Sequence, residues 1–554
     1  MSLSLLSRYA FFAACVLFTL ASLPFIHHEW LWPFTLTTGL LSLIGLFDLL
    51  QQRHAVRRNY PILGNIRYLV EAIRPEIRQY LLESDSDALP FSRAQRSLVY
   101  ARAKNEASDK PFGTLIDVYE SGFEFIGHSM RPAPLADPAS FRIIVGGPQC
   151  SQPYSASIFN ISAMSFGSLS ANAIRALNQG AKLGNFHHDT GEGSISPYHR
   201  EHGGDLVWEL GSGYFGCRTP DGRFDPERFA AQARSPQVRM IEIKMSQGAK
   251  PGHGGILPKH KVTQEIAETR GVLMGEDCIS PSRHSAFSTP IEMMQFIAQL
   301  RELSGGKPVG FKFCLGHPWE FMGIAKAMLE TGILPDFIVV DGKEGGTGAA
   351  PVEFTDHIGV PLREGLLFVH NTLVGSNLRD KIKLGASGKI VSAFDIARVL
   401  AIGADWANSA RGFMFAIGCI QSQSCHTNKC PTGVATQDPL RQRALVVPDK
   451  AERVASFHRN TLHALAEMLA AAGLEHPSEL KPKHLARRIS PSEIGLFSDL
   501  HTFLKPGELL SGSIESEFYA RMWRMARSDS FAPETGELMP VAAKAVRRKE
   551  TAPA

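Results

Sequence analysis

Cysteine is scarce, with eight in 554 residues, and five of them (Cys15, Cys150, Cys217, Cys278 and Cys314) are scattered singly along the chain. That excludes a disulfide scaffold and fits a reducing compartment. An excess of charge of one sign is also lacking. The net charge is only +4, and no basic run interleaved with aromatic residues offers a footprint for nucleic acid. No G-x-G-x-x-G opens a βαβ unit with an acidic residue following, so a Rossmann nicotinamide site is not supported. What remains is the composition of a globular protein, 44% hydrophobic and 20% charged, in a chain long enough for one large domain with attachments.

The other three cysteines fall within twelve residues, Cys419, Cys425 and Cys430, spaced C-x5-C-x4-C and followed at once by Pro431. One loop of that spacing can turn three thiolates toward a common centre. Soft thiolates suit zinc or an iron–sulfur cluster, and a cysteine followed by proline recurs in cluster loops. A closed zinc site needs four ligands, and the paired C-x2-C of zinc ribbons is missing, although His426 offers a fourth ligand.

The N-terminus reads as a membrane anchor. Tyr9 to Ile26 and Trp30 to Phe47 carry no charged residue, and His27-His28-Glu29 separates them. Each run is about long enough to cross a bilayer at ~1.5 Å per residue. Arg53, Arg57 and Arg58 follow the second run, and the connection between the runs has no Lys or Arg, so the bulk of the chain is expected in the cytoplasm. A signal peptide behind Arg8 and a buried core hairpin are the competing readings. Helical patterning at 68–82 and 91–103 follows, before Pro132-Ala-Pro134 and Asp137-Pro138 mark a connection.

Beyond residue 157 short apolar strands alternate with amphipathic helices. Strands are expected near 158–164, 184–188, 239–245, 276–280, 309–315, 337–341, 380–385 and 404–409, with helices such as Pro290–Leu303 and Phe321–Thr331 between them. Eight βα units in about 250 residues predict a (β/α)8 TIM barrel, with its site at the C-terminal strand ends; a doubly wound open sheet is the alternative. The interval with Gly203-Gly204, Gly211 and Gly213 reads as an inserted loop or hairpin. The strand ends carry Met164-Ser165, Glu192, Lys244-Met-Ser-Gln247, Lys250, Lys312, Gly345-Gly346, Ser387-Gly388 and Arg411-Gly412. Glycines after the seventh and eighth strands suit a phosphate, and a helix starting near Ser392 would add its positive end. Lys312 can set its ammonium against the N1–C2=O edge of a flavin.

These motifs resemble the FMN-binding synthase domain of the glutamate synthase family. The resemblance is carried by MSFGSLS, TGEG, IKMSQGAKPGHGG, DGKEGGTGAAP, Asn377-Leu-Arg-Asp380 and CHTNKCPTGVATQ with the upstream Cys419, in that order over roughly 130 to 490. It implies FMN, contacted by Met164, Ser165, Lys312, Gly346, Ser387, Gly388, Arg411 and Gly412. It implies an iron–sulfur cluster, 3Fe–4S more than 4Fe–4S, on Cys419, Cys425 and Cys430. It also implies that Lys244, Glu192, Gln247 and Lys250 line a pocket for 2-oxoglutarate and its imine.

Three features depart from the family. His253 stands where an acidic residue is usual, and neither an amidotransferase nucleophile nor a long glycine-repeat region is seen, so glutamine hydrolysis is not expected of this chain. The expected organisation is an anchor at 1–52, a helical connection at 53–140, the FMN domain with its cluster loop at 141–440, and a helical extension and tail at 441–554. The expected activity is reduction of 2-iminoglutarate to L-glutamate, with electrons from a donor protein and ammonia from solution or a partner subunit. An N-methylglutamate synthase-like reaction and an electron-transfer module of a membrane complex are the alternatives.

Overall fold

The structure is a computed structural model describing residues 3–86, 90–109 and 111–534. The last dozen residues, expected to be disordered, lie outside the described residues. The chain forms two compact units, Met1–Arg93 and Ala94–Ala554.

In the first unit the two uncharged runs become helices α1 (Leu3–Ser22) and α2 (Trp32–Leu50). Arg8–Phe25 and Trp32–Leu50 are long and apolar enough to cross a membrane, and only 11% and 17% of them is buried in protein, unlike a soluble core hairpin. Small and hydroxylated residues join them. Thr19 Oγ1 donates to Thr38 Oγ1 at 3.0 Å and Thr35 Oγ1 to Ser22 Oγ at 2.9 Å. Phe12 comes so close to Gly45 that a Cβ there would stand 2.2 Å from its ring. Asp48, buried near the end of α2, accepts from Ile62 N at 3.0 Å and from Asn65 Nδ2. It thereby fastens the start of α3 (Gly64–Ile77) to the end of α2.

The second unit is a closed barrel of eight parallel strands. They are β1 (Phe159–Ile161), β2 (His188–Asp189), β3 (Leu206–Leu210), β4 (Val238–Lys244), β5 (Val309–Phe313), β6 (Phe337–Asp341), β7 (Lys383–Ser387) and β8 (Trp406–Ser409). Closure comes from β8 pairing with β1, Ala407 opposite Phe159, so the TIM barrel stands and the open sheet does not. Of the eight predicted strands, the one at 276–280 is outside the barrel: Cys278–Ile279 pairs antiparallel with Ile256–Leu257. The missing strand is β3, inside the interval read as an insertion. Trp208 turns outward, its ring 5.2 Å from Phe229 of the helix Pro226–Ala233, so strand alternation turns Glu209 toward the barrel axis. A buried acid in mid-strand hides the apolar pattern.

Gly211-Ser-Gly-Tyr-Phe-Gly216 follows β3 directly and does match G-x-G-x-x-G. Its chain folds into successive turns, however, with Tyr214 N on Gly211 O and Cys217 N on Tyr214 O, each at 2.9 Å. The next helix starts only at Pro226, so this is not a dinucleotide loop.

The helices keep to their sequence signals. Pro290–Leu303 starts with Pro at its first turn and a capping box of Thr289 with Glu292. The long helix Val447–Ala471 lies against Ala171–Leu183, where Gly180 leaves room that a Cβ, 2.5 Å from Val454, would fill. The hairpin Arg142–Val145 with Tyr154–Ser157 bonds to the loops before β5 and β6, through Ser151 N on Gly306 O and Gly147 N on Asp336 Oδ1. It covers the N-terminal face and leaves the strand C-termini for chemistry.

Candidate active site

The lower layer of the barrel interior is a buried charge cluster. Asp189, Glu209 and Glu242 bring carboxylate oxygens within 4.8 Å of one another, and Lys312 reaches Glu209 directly and Glu242 at 3.4 Å. Burial pushes Asp189 up to about 7, with Glu209's charge adding to it. Glu242 is raised well above its ordinary value, again first by burial and then by Asp189. Burial alone would lower Lys312, but Glu209 and Glu242 outweigh it and its pKa is raised. Three acids around one ammonium cannot all ionise at neutral pH, so the cluster holds a proton. The ammonium expected at a flavin edge is therefore already engaged from below. Asp189, Glu209 and Glu242 were not among the sequence candidates.

One turn of the pleat higher, Lys244 follows Glu242 on the same strand face and meets Glu192 at 3.2 Å. Glu192 is threaded between two glycines: a Cβ on Gly255 would stand 2.2 Å from its Oε1, and one on Gly211 would stand 2.8 Å from its Oε2. Ser280 Oγ donates to Glu192 Oε2 at 3.3 Å. Burial would raise Glu192, but Lys244's charge and hydrogen bond override it and hold the carboxyl below its usual range. Lys250, buried nearby, is lowered first by desolvation and then by Lys244. Gln247 is half-buried in the same loop and its carbonyl accepts from Lys250 N at 3.4 Å. Behind them His284 bridges the Lys244 carbonyl (2.9 Å) and the Tyr214 hydroxyl (3.1 Å), and burial lowers it to about 4, so it stays neutral. His253, the departure from the family pattern, leans its ring edge on Phe354, 5.1 Å away. So Lys244, Glu192, Gln247 and Lys250 gather at one side of the barrel mouth.

The other side of the mouth is made by the loops after β6, β7 and β8. Arg411 Nη2 donates to Glu344 O at 2.7 Å, and Gly346 lies so close that a Cβ there would meet Arg411 Nε at 2.7 Å. Arg411 is lowered to about 10 and Lys389 is lowered too, each first by burial, and Lys389 then by the charge of Arg411. Two crowded cations beside the backbones of Ser387, Gly388 and Gly412 make a donor set that fits a phosphate. The helix Ala393–Ile402 adds less than expected, because a capping box of Ser392 with Asp395 closes its first turn on itself. Lys389, beside Arg411 and Glu344, was not among the expected contacts. Met164 is buried near the start of the loop after β1. Gly191 (φ +66°) packs so tightly on that loop that a Cβ would stand 2.6 Å from Ser165 N.

The cysteine loop clasps this same loop after β1. Gln437 Nε2 donates to Gly167 O (3.0 Å) and Leu169 O (2.9 Å). Ser170 N donates to Val434 O at 2.9 Å, and Lys261 Nζ to both Ser168 O (3.1 Å) and Cys425 O (3.3 Å). Gln421, Gln423 and Asn428 adopt left-handed backbone, as do Gly418 and Gly433. Burial pushes the Cys419 thiol up to about 12, and the charges of Cys425 and Cys430 push it the same way. Burial would raise Cys430 as well, but backbone N–H groups from Ala435, Thr432 and Val434 hold it low. Three thiols that feel one another's charge, one of them held low by backbone N–H groups, suit a soft cationic centre. His426 is exposed.

Sequence comparison shows the family. The conserved region in glutamate synthase matches residues 146–475. The glutamate synthase large subunit-like protein YerD of Bacillus subtilis is 36% identical over 506 residues, 84% of this chain and 96% of that protein. The archaeal-type glutamate synthase [NADPH] of Thermotoga neapolitana is 34% identical over 327 residues, 59% of this chain and 61% of that protein, so this chain spans less than two thirds of it. The flavin-binding domain of baker's yeast flavocytochrome b2 gives a TM-score of 0.38 at 12% identity, over 79% of this chain and 89% of that one. The chain belongs to the glutamate synthase family, whose members are FMN-dependent oxidoreductases.

Proposed function

We propose that this chain reduces 2-iminoglutarate, formed from 2-oxoglutarate and ammonia, to L-glutamate. The observation that carries the reading is the grouping of Lys244, Lys250 and Glu192 in the barrel mouth. It sets two cations for a dicarboxylate beside one carboxylate for a cationic imine. Lys244 and Lys250 take the substrate's carboxylates, Gln247 adds a hydrogen bond, and Glu192, kept ionised, faces the imine nitrogen and holds its proton. Ser387, Gly388, Lys389, Arg411 and Gly412 would hold the FMN phosphate, with Gly346 behind Arg411, while Met164, Ser165 and Lys312 line the ring. Cys419, Cys425 and Cys430 would hold the cluster, a 3Fe–4S type because three thiolates are offered. When bound, the cluster supplies single electrons and FMN the hydride. An electron-donor protein must dock from outside, and ammonia comes from solution or a partner subunit. Helices α1 and α2 anchor the chain in the cytoplasmic membrane, with Arg53, Arg57 and Arg58 on the cytoplasmic side.

Anaerobic purification, with flavin and iron quantified, tests the cofactors. Cys425→Ser should lose iron and keep flavin. Reduced enzyme should form glutamate from 2-oxoglutarate and ammonia. Formation of N-methylglutamate from methylamine and glutamate instead, or flavin-free and iron-free protein, would refute the reading.

A further inference from the structure

The first unit carries a surface that the barrel chemistry does not use. In α3, Ile66, Leu69, Val70 and Ile73 are 44–63% exposed, and with Ile77 they occupy an arc of about 100° at 3.6 residues per turn. Arg67, Arg74 and Arg78 fall together on the flank beside this stripe, with Glu71 among them paired to Arg67 at 2.9 Å. Pro75 interrupts the helix hydrogen bonds, and the chain widens into a π-helical turn, Arg78–Leu82, that adds Tyr80, Leu81 and Leu82, all more than half exposed. An exposed stripe of this length needs a cover.

Its surroundings say which cover. Asp48 ties Ile62 N and the Asn65 side chain to the end of α2, so α3 starts level with the point where the second span ends. Arg53, Arg57 and Arg58 lie in the connection, and Arg57 stacks on Tyr68 of α3 at 4.5 Å. An apolar stripe, an arginine flank and a tyrosine at the mouth of a transmembrane hairpin are the chemistry of a helix lying in an anionic lipid surface. We propose that α3 and the turn Arg78–Leu82 lie in the headgroup plane of the bilayer that α1 and α2 span, the stripe toward the acyl chains and the arginines toward lipid phosphates. This rests on the reading of α1 and α2 as spans. The hairpin then fixes depth, and the in-plane helix fixes the direction in which the chain leaves the membrane.

The test uses the full chain in vesicles of phosphatidylcholine and phosphatidylglycerol, with a fluorescent residue in place of Leu40, Ile73 or Glu71 in turn and lipids brominated in their acyl chains as quenchers. The expected result is quenching at position 73 within about twofold of that at 40 and at least about threefold that at 71. Replacing phosphatidylglycerol by phosphatidylcholine, or the triple variant R67E/R74E/R78E, should at least halve quenching at 73 and leave 40 unchanged. Quenching at 40 without quenching at 73 overturns the in-plane helix while the anchor survives, and it points to protein covering the stripe. Absence of quenching at both positions overturns the anchor itself.

Discussion

Gly255 and Glu192 fit so closely that a single added carbon would collide: a Cβ on Gly255 would stand 2.2 Å from Glu192 Oε1. Ser280 Oγ, 3.3 Å from that same point, closes the other way out. Gly255→Ala should therefore push the Glu192 carboxylate off Lys244 without removing a charged group. A displacement of about 1 Å in such a site costs roughly 100-fold in turnover. The expected outcome is that loss in kcat with flavin content and melting temperature near those of the parent. Gly127→Ala, where a Cβ meets nothing within 4 Å, serves as the control. A fully active Gly255→Ala would show that the position of Glu192 does not matter.

Lys244 separates an enzyme from an electron carrier. It is the group that Glu192 holds, at 3.2 Å, and one of the two cations proposed for the dicarboxylate. Lys244→Ala should weaken 2-oxoglutarate binding by about 10- to 100-fold, the worth of one hydrogen bond to a charged group. Reduction of bound flavin by the donor should be unchanged, because the partners of Lys244 are Glu192 and His284 and not the cysteine loop. Equal losses in both steps, or in neither, would contradict the assignment.

How much of this could be read from the residues alone depends on what each signal needs. The cysteine loop and the strand-end motifs are local, so Cys419, Cys425, Cys430, Lys244 and Glu192 could be named before their geometry was seen. The barrel was legible because most of its strands are short apolar runs closed by glycine-rich or polar loops. Strand β3 was not, since Glu209 is buried by a partner 103 residues away, Lys312, that no window over Leu206–Leu210 contains. Lys389 was missed for a similar reason. Its importance comes from Arg411, brought beside it only when β7 and β8 pair. The clasp of Gln437 on Gly167 and Leu169 likewise spans the whole barrel sequence.

Acid should destabilise the fold through its buried histidines. His187, His188 and His458 are each lowered to about 3, chiefly by desolvation. A base with a folded pKa below its unfolded value of 6.5 binds protons preferentially when unfolded. Stability is thus complete above about pH 6.5 and falls as the pH drops toward 3. At pH 5 the linkage amounts to about 2 kcal/mol per histidine. Melting temperature should fall between pH 7 and pH 5, and His458→Gln, which can still bond Ser157, should flatten that slope by about one proton. An unchanged slope would mean that His458 is reached by water in the folded state.

The charge cluster under the mouth makes the last prediction, and it concerns the flavin that the site would hold. Lys312 is the ammonium nearest the predicted ring edge, yet Glu209 and Glu242 neutralise it from below. Negative charge gained on reduction is then opposed by carboxylates rather than drawn by a free cation. Glu209→Gln removes one such carboxylate and keeps the shape, and Glu242 remains to hold Lys312 in place. At the effective dielectric of a protein interior, one charge at roughly 8 Å is worth about 2 kcal/mol. For a two-electron couple that is about 40 mV, so the midpoint potential of bound flavin should rise by that order in spectroelectrochemical titration. A fall in potential, or none beyond the scatter of the parent, would mean that the cluster titrates to compensate and that Lys312 does not act on the ring.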